Sequence, residues 1–112
     1  MPYINLKTNR PVTKEAADQF KADMGQAITS FPGKTEAWLM VGAEECHLYF
    51  KGSDEPAAMV EVYVLGSVNS SASEDMTSVV CDSVSRIFDI SPSRIYVKYQ
   101  GIENWGWNGS NF

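Results

Sequence analysis

One order of hydrophobic periodicities, read twice along the chain, restricts the fold more than any single motif. Tyr3–Thr8 alternates, with Ile4 and Leu6 set against Asn5 and Lys7, which is the period of a strand. Ala17, Phe20, Met24, Ile28 and Phe31 then recur at helical spacing, with Thr13 as N-cap, Glu15 in the first turn and Pro32-Gly33 as the stop. Ala37–Ala43 is a nearly continuous apolar run, the pattern of a strand covered on both faces. The second pass begins with Ala57–Leu65, rich in β-branched residues and closed by Gly66. Met76, Val79, Val80, Val84, Ile87 and Phe88 form another helical stripe, opened by Ser71 and Glu74 as a capping box. Arg94–Tyr99 alternates as a final strand, and Asn108-Gly109 in the tail is a hairpin turn signal. Between the passes, Glu44-Glu45 reads as a turn, Leu48–Phe50 as a short strand and Gly52–Pro56 as a loop.

Two β-α-β units in succession predict an α/β (α+β) fold with a four-stranded sheet and both helices on one face. The 112 residues suffice for one core and not for two, so residues 1–112 are read as one domain. One sheet face is then left bare although the strands read as apolar on both sides. A partner subunit is the simplest cover for it.

Charge excludes some partners. Nine Lys and Arg against fourteen Asp and Glu leave a net charge of −5, which disfavours nucleic acid and a polybasic membrane surface. No apolar run approaches the roughly 20 residues that span a bilayer, and the stretch Met-Pro-Tyr-Ile-Asn-Leu-Lys does not read as a signal peptide, so none is expected. Cys46 and Cys81 stand alone, without a CxxC or a ligand-spaced His, so neither a disulfide framework nor a zinc site is expected. No Gly-rich phosphate loop, G-x-S-x-G or H-E-x-x-H occurs, and no cofactor is expected.

Pro2 is the residue with the most chemical potential. Removal of the initiator Met would leave a secondary amine with an ordinary pKa of about 8, and burial or a nearby cation would lower it towards a usable general base. Taken alone, Pro2 is only the residue after the start. Lys34, beside Gly33, could hold a carboxylate, or could simply offset a helix dipole. Tyr96 and Lys98 share one face of the last strand. Trp105, Trp107 and Phe112 make the tail too aromatic to be an idle end, and core or interface packing is weighed first, a pocket wall second.

Several segments in one order carry a resemblance: Met1-Pro2-Tyr3-Ile4, Gly33-Lys34, Gly52-Ser53-Asp54-Glu55-Pro56-Ala57, Leu65-Gly66, Ile90-Ser91-Pro92-Ser93-Arg94-Ile95-Tyr96-Val97 and Gly106-Trp107-Asn108-Gly109-Ser110-Asn111-Phe112. Together the chain resembles the macrophage migration inhibitory factor family of the tautomerase superfamily, essentially end to end. The resemblance implies a homotrimer of β-α-β-β-α-β protomers with the sheets wrapped into a central barrel and the helices outside. It implies cofactor-free keto–enol tautomerisation of small aromatic 2-oxo acids of the phenylpyruvate type, and of dopachrome-type substrates. Pro2 would be the base and Lys34 would bind the carboxylate. Leu65 would line the site, and Tyr96 would come from the adjacent subunit. Trp107 and Phe112 would form an aromatic wall.

The departures from the family pattern sharpen these expectations. Val64-Leu65 replaces a common serine–aliphatic pair, so only Leu65 and its backbone carry over. Lys98 stands where the best-known member has Asn, a second cation that would depress the proline further if it enters the pocket. Ala57-Ala58-Met59-Val60 replaces a Cys-x-x-Cys, so thiol–disulfide chemistry does not carry over. Trp105 replaces a smaller residue and would narrow the pocket. The alternative function is a cytokine-like protein that binds a cell-surface receptor. A dehalogenase or decarboxylase relative would want arginines by the base, which Arg10, Arg86 and Arg94 do not obviously supply. The expected location is cytoplasmic, with signal-independent export as the route to an extracellular role.

Overall fold

The computed structural model describes residues 1–112. Strand β1 is Pro2–Thr8, helix α1 Lys14–Ala27, β2 Met40–Glu45, β3 Ala58–Leu65, α2 Ser70–Phe88 and β4 Ile95–Ile102. The four strands form one mixed sheet in the order β2-β1-β3-β4. β1 runs parallel to β2 and antiparallel to β3, and β3 runs parallel to β4. This is the expected β-α-β-β-α-β fold.

The helical stripes explain the core. Phe20 and Met24 of α1 and Met76, Val80, Val84 and Phe88 of α2 are buried with Ile4, Leu6, Val60, Val62 and Val64 of the central strands. Thr13 caps α1 by accepting from the Ala16 N–H at 3.1 Å. Ile28–Ser30 tightens into a 3-10 turn, so the stripe to Phe31 outlasts the α-helix. Asp23 of α1 ties the helices by accepting from Ser83 at 2.7 Å and Arg86 at 2.8 Å. Partial burial pushes the Asp23 carboxyl up, but those hydrogen bonds and the Arg86 charge outweigh it and hold it below its ordinary range.

Four local expectations change. The apolar run at 37–43 is not a doubly covered strand: Glu36–Trp38 is a 3-10 turn, and β2 is an edge strand on which Met40 is 68% exposed. Glu44-Glu45 is no turn, because pairing with Lys7 and Thr8 carries β2 through both residues. Leu48–Phe50 makes only an isolated bridge from Phe50 to Ser53. Helix α2 is capped by Asn69, which accepts from the Ala72 N–H at 2.9 Å, two residues ahead of the expected Ser71. Asn and Ser cap about equally well, so the earlier Asn takes the position once the chain leaves Gly66.

The sheet face away from the helices is bare within the protomer, but it is not apolar throughout. β3 alternates strictly between buried and half-buried residues, and Met59, Glu61, Tyr63 and Leu65 occupy the open side. Glu61 there bonds Lys98 at 3.1 Å, Lys7 at 3.3 Å and the Tyr63 hydroxyl at 2.9 Å. Gly106–Trp107 (β5) and Ser110–Asn111 (β6) form a small hairpin through Asn108-Gly109, both at positive φ as a type I′ turn requires.

Candidate active site

The N-terminus of β1 lies at one end of the sheet, where Pro2 stands opposite Val64. Leu65, the next residue of β3, uses both of its backbone groups at this point. Its N–H donates to the Met1 carbonyl at 2.9 Å, and its carbonyl accepts from Lys34 Nζ at 3.1 Å. Lys34 follows Gly33, whose φ of +78 turns the chain out of the first crossover and back to the sheet end. Lys34 makes no ion pair, so its charge stays available to an anion. Burial pushes the Met1 amine below its ordinary pKa of 8.0, and the neighbouring Lys34 ammonium pushes it the same way.

Aromatic rings complete the surroundings. A cleft of about 370 Å³ is lined by Met1, Pro2, Trp38, Met40, Trp105 and Trp107 among others. A second, apolar hollow beside it is bounded by Met1, Trp38, Leu65 and Phe112. Trp38 meets Trp107 edge to face at 5.1 Å, and Trp107 stacks on Phe112 at 5.9 Å. All three rings are half exposed, unlike core aromatics. A flat substrate could lie against such walls while its carboxylate meets Lys34.

Of the residues singled out in the sequence, the protomer therefore brings together Pro2, Lys34, Leu65, Trp107 and Phe112. Tyr96 and Lys98 lie elsewhere. Tyr96 pairs with Met59, five residues along β3 from Val64, which puts it about 16 Å from the Pro2 end. It packs edge to face on Phe50 at 4.8 Å. Lys98 is held on the open sheet face by Glu61 and lies 5.9 Å over the Tyr63 ring. Trp38 was missed. It falls inside a run that reads as a buried strand, and the one available signal is an aromatic residue only four positions beyond Lys34.

A larger cleft, about 440 Å³, lies at the loop that carries Cys46, His47, Tyr49 and Asp54. Asn9 spends its amide there on the carbonyls of Leu48, Asp54 and Glu55, which organises the loop. The arginines are equally committed: Arg10 to the Phe88 carbonyl, Arg86 to Asp23, and Arg94 to the carbonyls of Phe50, Ser53, Glu55 and Pro56. None of them reaches the N-terminal cleft in these contacts.

Comparison with known proteins adds an independent line. A family model described as macrophage migration inhibitory factor (MIF) matches residues 1–112. The macrophage migration inhibitory factors of Mus musculus and Rattus norvegicus are each 27% identical over 115 residues, spanning 100% of this chain and 99% of theirs. Among solved structures, MIF2 of Leishmania major superposes with a TM-score of 0.94 at 28% identity, covering 100% of this chain and 97% of the other. The macrophage migration inhibitory factor homologue of Prochlorococcus marinus superposes with a TM-score of 0.84 at 26% identity, covering 98% of both chains.

Proposed function

The chain belongs to the macrophage migration inhibitory factor family, and we propose that it is a cofactor-free keto–enol tautomerase of phenylpyruvate-type 2-oxo acids, with dopachrome-type compounds as further substrates. The observation that carries this reading is Lys34, free of any ion pair, on the Leu65 carbonyl at 3.1 Å, with the Leu65 N–H on the Met1 carbonyl that acylates the Pro2 nitrogen, beside hollows walled by Trp38, Trp107 and Phe112. While Met1 is attached, the Pro2 nitrogen is an amide and has no basic lone pair. Removal of Met1 turns it into a secondary amine at the same sheet end. The same cut releases the Leu65 N–H from the Met1 carbonyl, leaving a donor beside the Lys34 ammonium.

In the proposed mechanism Lys34 and the freed Leu65 N–H bind the carboxylate and orient the neighbouring carbonyl. Neutral Pro2 takes a proton from the carbon alpha to that carbonyl. The C–H electron pair becomes the enol double bond, and the carbonyl oxygen receives a proton from water. In the reverse direction protonated Pro2 returns its proton to carbon. A cation beside the Pro2 amine favours its neutral, basic form over the protonated one. Trp38, Trp107 and Phe112 hold the ring, and Trp105 narrows the cleft.

Tyr96 and Lys98 enter this reading only from a second subunit, since their own cleft is out of reach. A homotrimer, with the bare sheet faces turned to one another, supplies that neighbour and covers the exposed Tyr96. The test is phenylpyruvate tautomerisation by protein whose Met1 removal is verified by mass. Pro2→Gly should lower kcat/KM by about a hundredfold or more. Unchanged turnover in that variant would remove Pro2 from the mechanism.

The name of the rodent relatives describes an action on cells, and a cytokine-like role at a cell-surface receptor is the second reading. The half-exposed rim of Trp38, Trp107 and Phe112 favours it as a docking surface. Saturable binding to a receptor ectodomain that survives Pro2→Gly would support this role, and its absence would count against it.

A further inference from the structure

Leu65 joins the polar groups of the cleft, and its own position is set from β4. Gly66 follows at φ +95, a conformation that glycine adopts without strain, and its N–H donates to the Ile102 carbonyl at 2.9 Å. This turn lays the Gly66 carbonyl onto Gly101, the register partner of Val64. A Cβ at Gly101 would overlap the Gly66 carbonyl oxygen and lie 3.3 Å from its carbon and 3.4 Å from Ser67 Cα. These are backbone atoms, so no side-chain rotation can relieve the overlap. Gly25 differs, because an added Cβ there would meet only the flexible end of Glu36.

We propose that Gly101 is a positioning residue of the cleft: its missing side chain lets the Leu65–Gly66 turn close over β4, and that closure fixes Lys34 against the N-terminal amine. This rests on the amine being the base of the site. Among the elements around the amine, β3 offers the uncharged Leu65, the 3-10 turn Trp38, and the tail the Trp107 and Phe112 rings. Glu36, on the turn that carries Trp38, is paired with Lys21 of α1 at 3.5 Å. Lys34 is the charged group that acts on the Met1 amine, and Leu65, which holds Lys34 by its carbonyl and the Met1–Pro2 peptide by its N–H, places the same cation beside the Pro2 nitrogen.

The experiment titrates the N-terminal amine of the Met1-processed chain through the pH dependence of its acylation rate. Lys34→Ala should raise the amine pKa, because a departing cation no longer disfavours the protonated form. Gly101→Ala should raise it too, by about half a unit or more, a roughly threefold change in the ratio of neutral to protonated amine. In the Lys34→Ala background Gly101→Ala should add nothing. A Gly101→Ala amine that titrates like the unsubstituted one overturns the proposal, as does an equal shift in both backgrounds.

Val80→Ala, a core truncation in α2, controls for lost stability: it should lower Tm and leave the amine where it is. An equal amine shift in Val80→Ala overturns the proposal. Should Gly101→Ala not fold, hydrogen exchange on the unsubstituted chain decides. The Gly66 amide should be protected to within about tenfold of the β3 amides, and exchange at the rate of an open loop overturns the closure. The titration needs no substrate. An inactive wild-type protein whose amine responds to Gly101 defeats the tautomerase reading alone; an active one whose amine does not respond defeats this inference alone.

Discussion

Two groups of lysines flank the central strands, and they are wired differently. On the open sheet face Lys7 and Lys98 share the carboxylate of Glu61, so the charges are largely satisfied among themselves. At the end of the same sheet Lys34 has only a main-chain carbonyl and no counter-ion, beside the partly buried Met1 amine. A carbonyl dipole orients an ammonium without cancelling it, whereas a carboxylate cancels it. The first arrangement braces three strands. The second leaves a cation with no counter-ion in the protomer.

The sharpest way to break this contrast is to remove the unpaired cation. Lys34→Ala should raise KM for a 2-oxo acid about tenfold to a hundredfold, the cost of one charge-assisted contact, as read in steady-state kinetics. An unchanged KM would mean that Lys34 does not meet the carboxylate. Trp107→Ala comes next. It removes one ring that touches both Trp38 and Phe112, and KM should rise by about three- to tenfold while Tm barely moves.

The paired side of the contrast predicts the reverse pattern. Glu61→Gln should leave turnover within about twofold and cost about 1 kcal/mol in denaturant unfolding, since both lysines are solvent-exposed. Burial pushes the Glu61 carboxyl up, but hydrogen bonds from Lys98, Tyr63 and Lys7 and the Lys7 charge bring it down to about 2. A carboxyl lowered in the folded state stabilises above its unfolded pKa of about 4.5, and that stability is lost as pH falls through the folded value. Acid unfolding between about pH 4.5 and pH 2 should therefore be shallower in Glu61→Gln than in the unsubstituted chain. Identical acid limbs would mean that the cluster does not brace the fold. A large loss of turnover would mean that Lys98 acts in catalysis, with Glu61 holding it in place.

Legibility in the sequence followed the range of the interaction. Both helices, β1, β3 and β4 could be read because their buried residues repeat along the chain itself. The run at 37–43 was misread because local hydrophobicity does not distinguish a buried strand from the wall of a cleft. Half-exposed Trp38 packs on a ring far along the chain, Trp107 of the C-terminal hairpin, and no local pattern announces that contact. Lys98 was a candidate for the pocket by position, and pairing with Glu61 across β3 and β4 turned it to the open face within the protomer. The motif carrying Arg94 resembled a family signature without showing a task; in the fold it clamps the carbonyls of the 50–56 loop.

Residue chemistry and a family resemblance supplied the candidates at Pro2, at Lys34 and in the tail, while periodicity and stop signals in the sequence determined the element order and the faces that pack. Those properties come from neighbours within a few positions, where 3.6- and 2-residue repeats act. The tertiary structure alone decided which candidates lie together. Strand register sets Pro2 against Val64, the turn at Gly66 brings Leu65 to Lys34, and a bare glycine at 101 leaves room for that turn. Register and close approach depend on atoms far apart in the chain, and no local period encodes them.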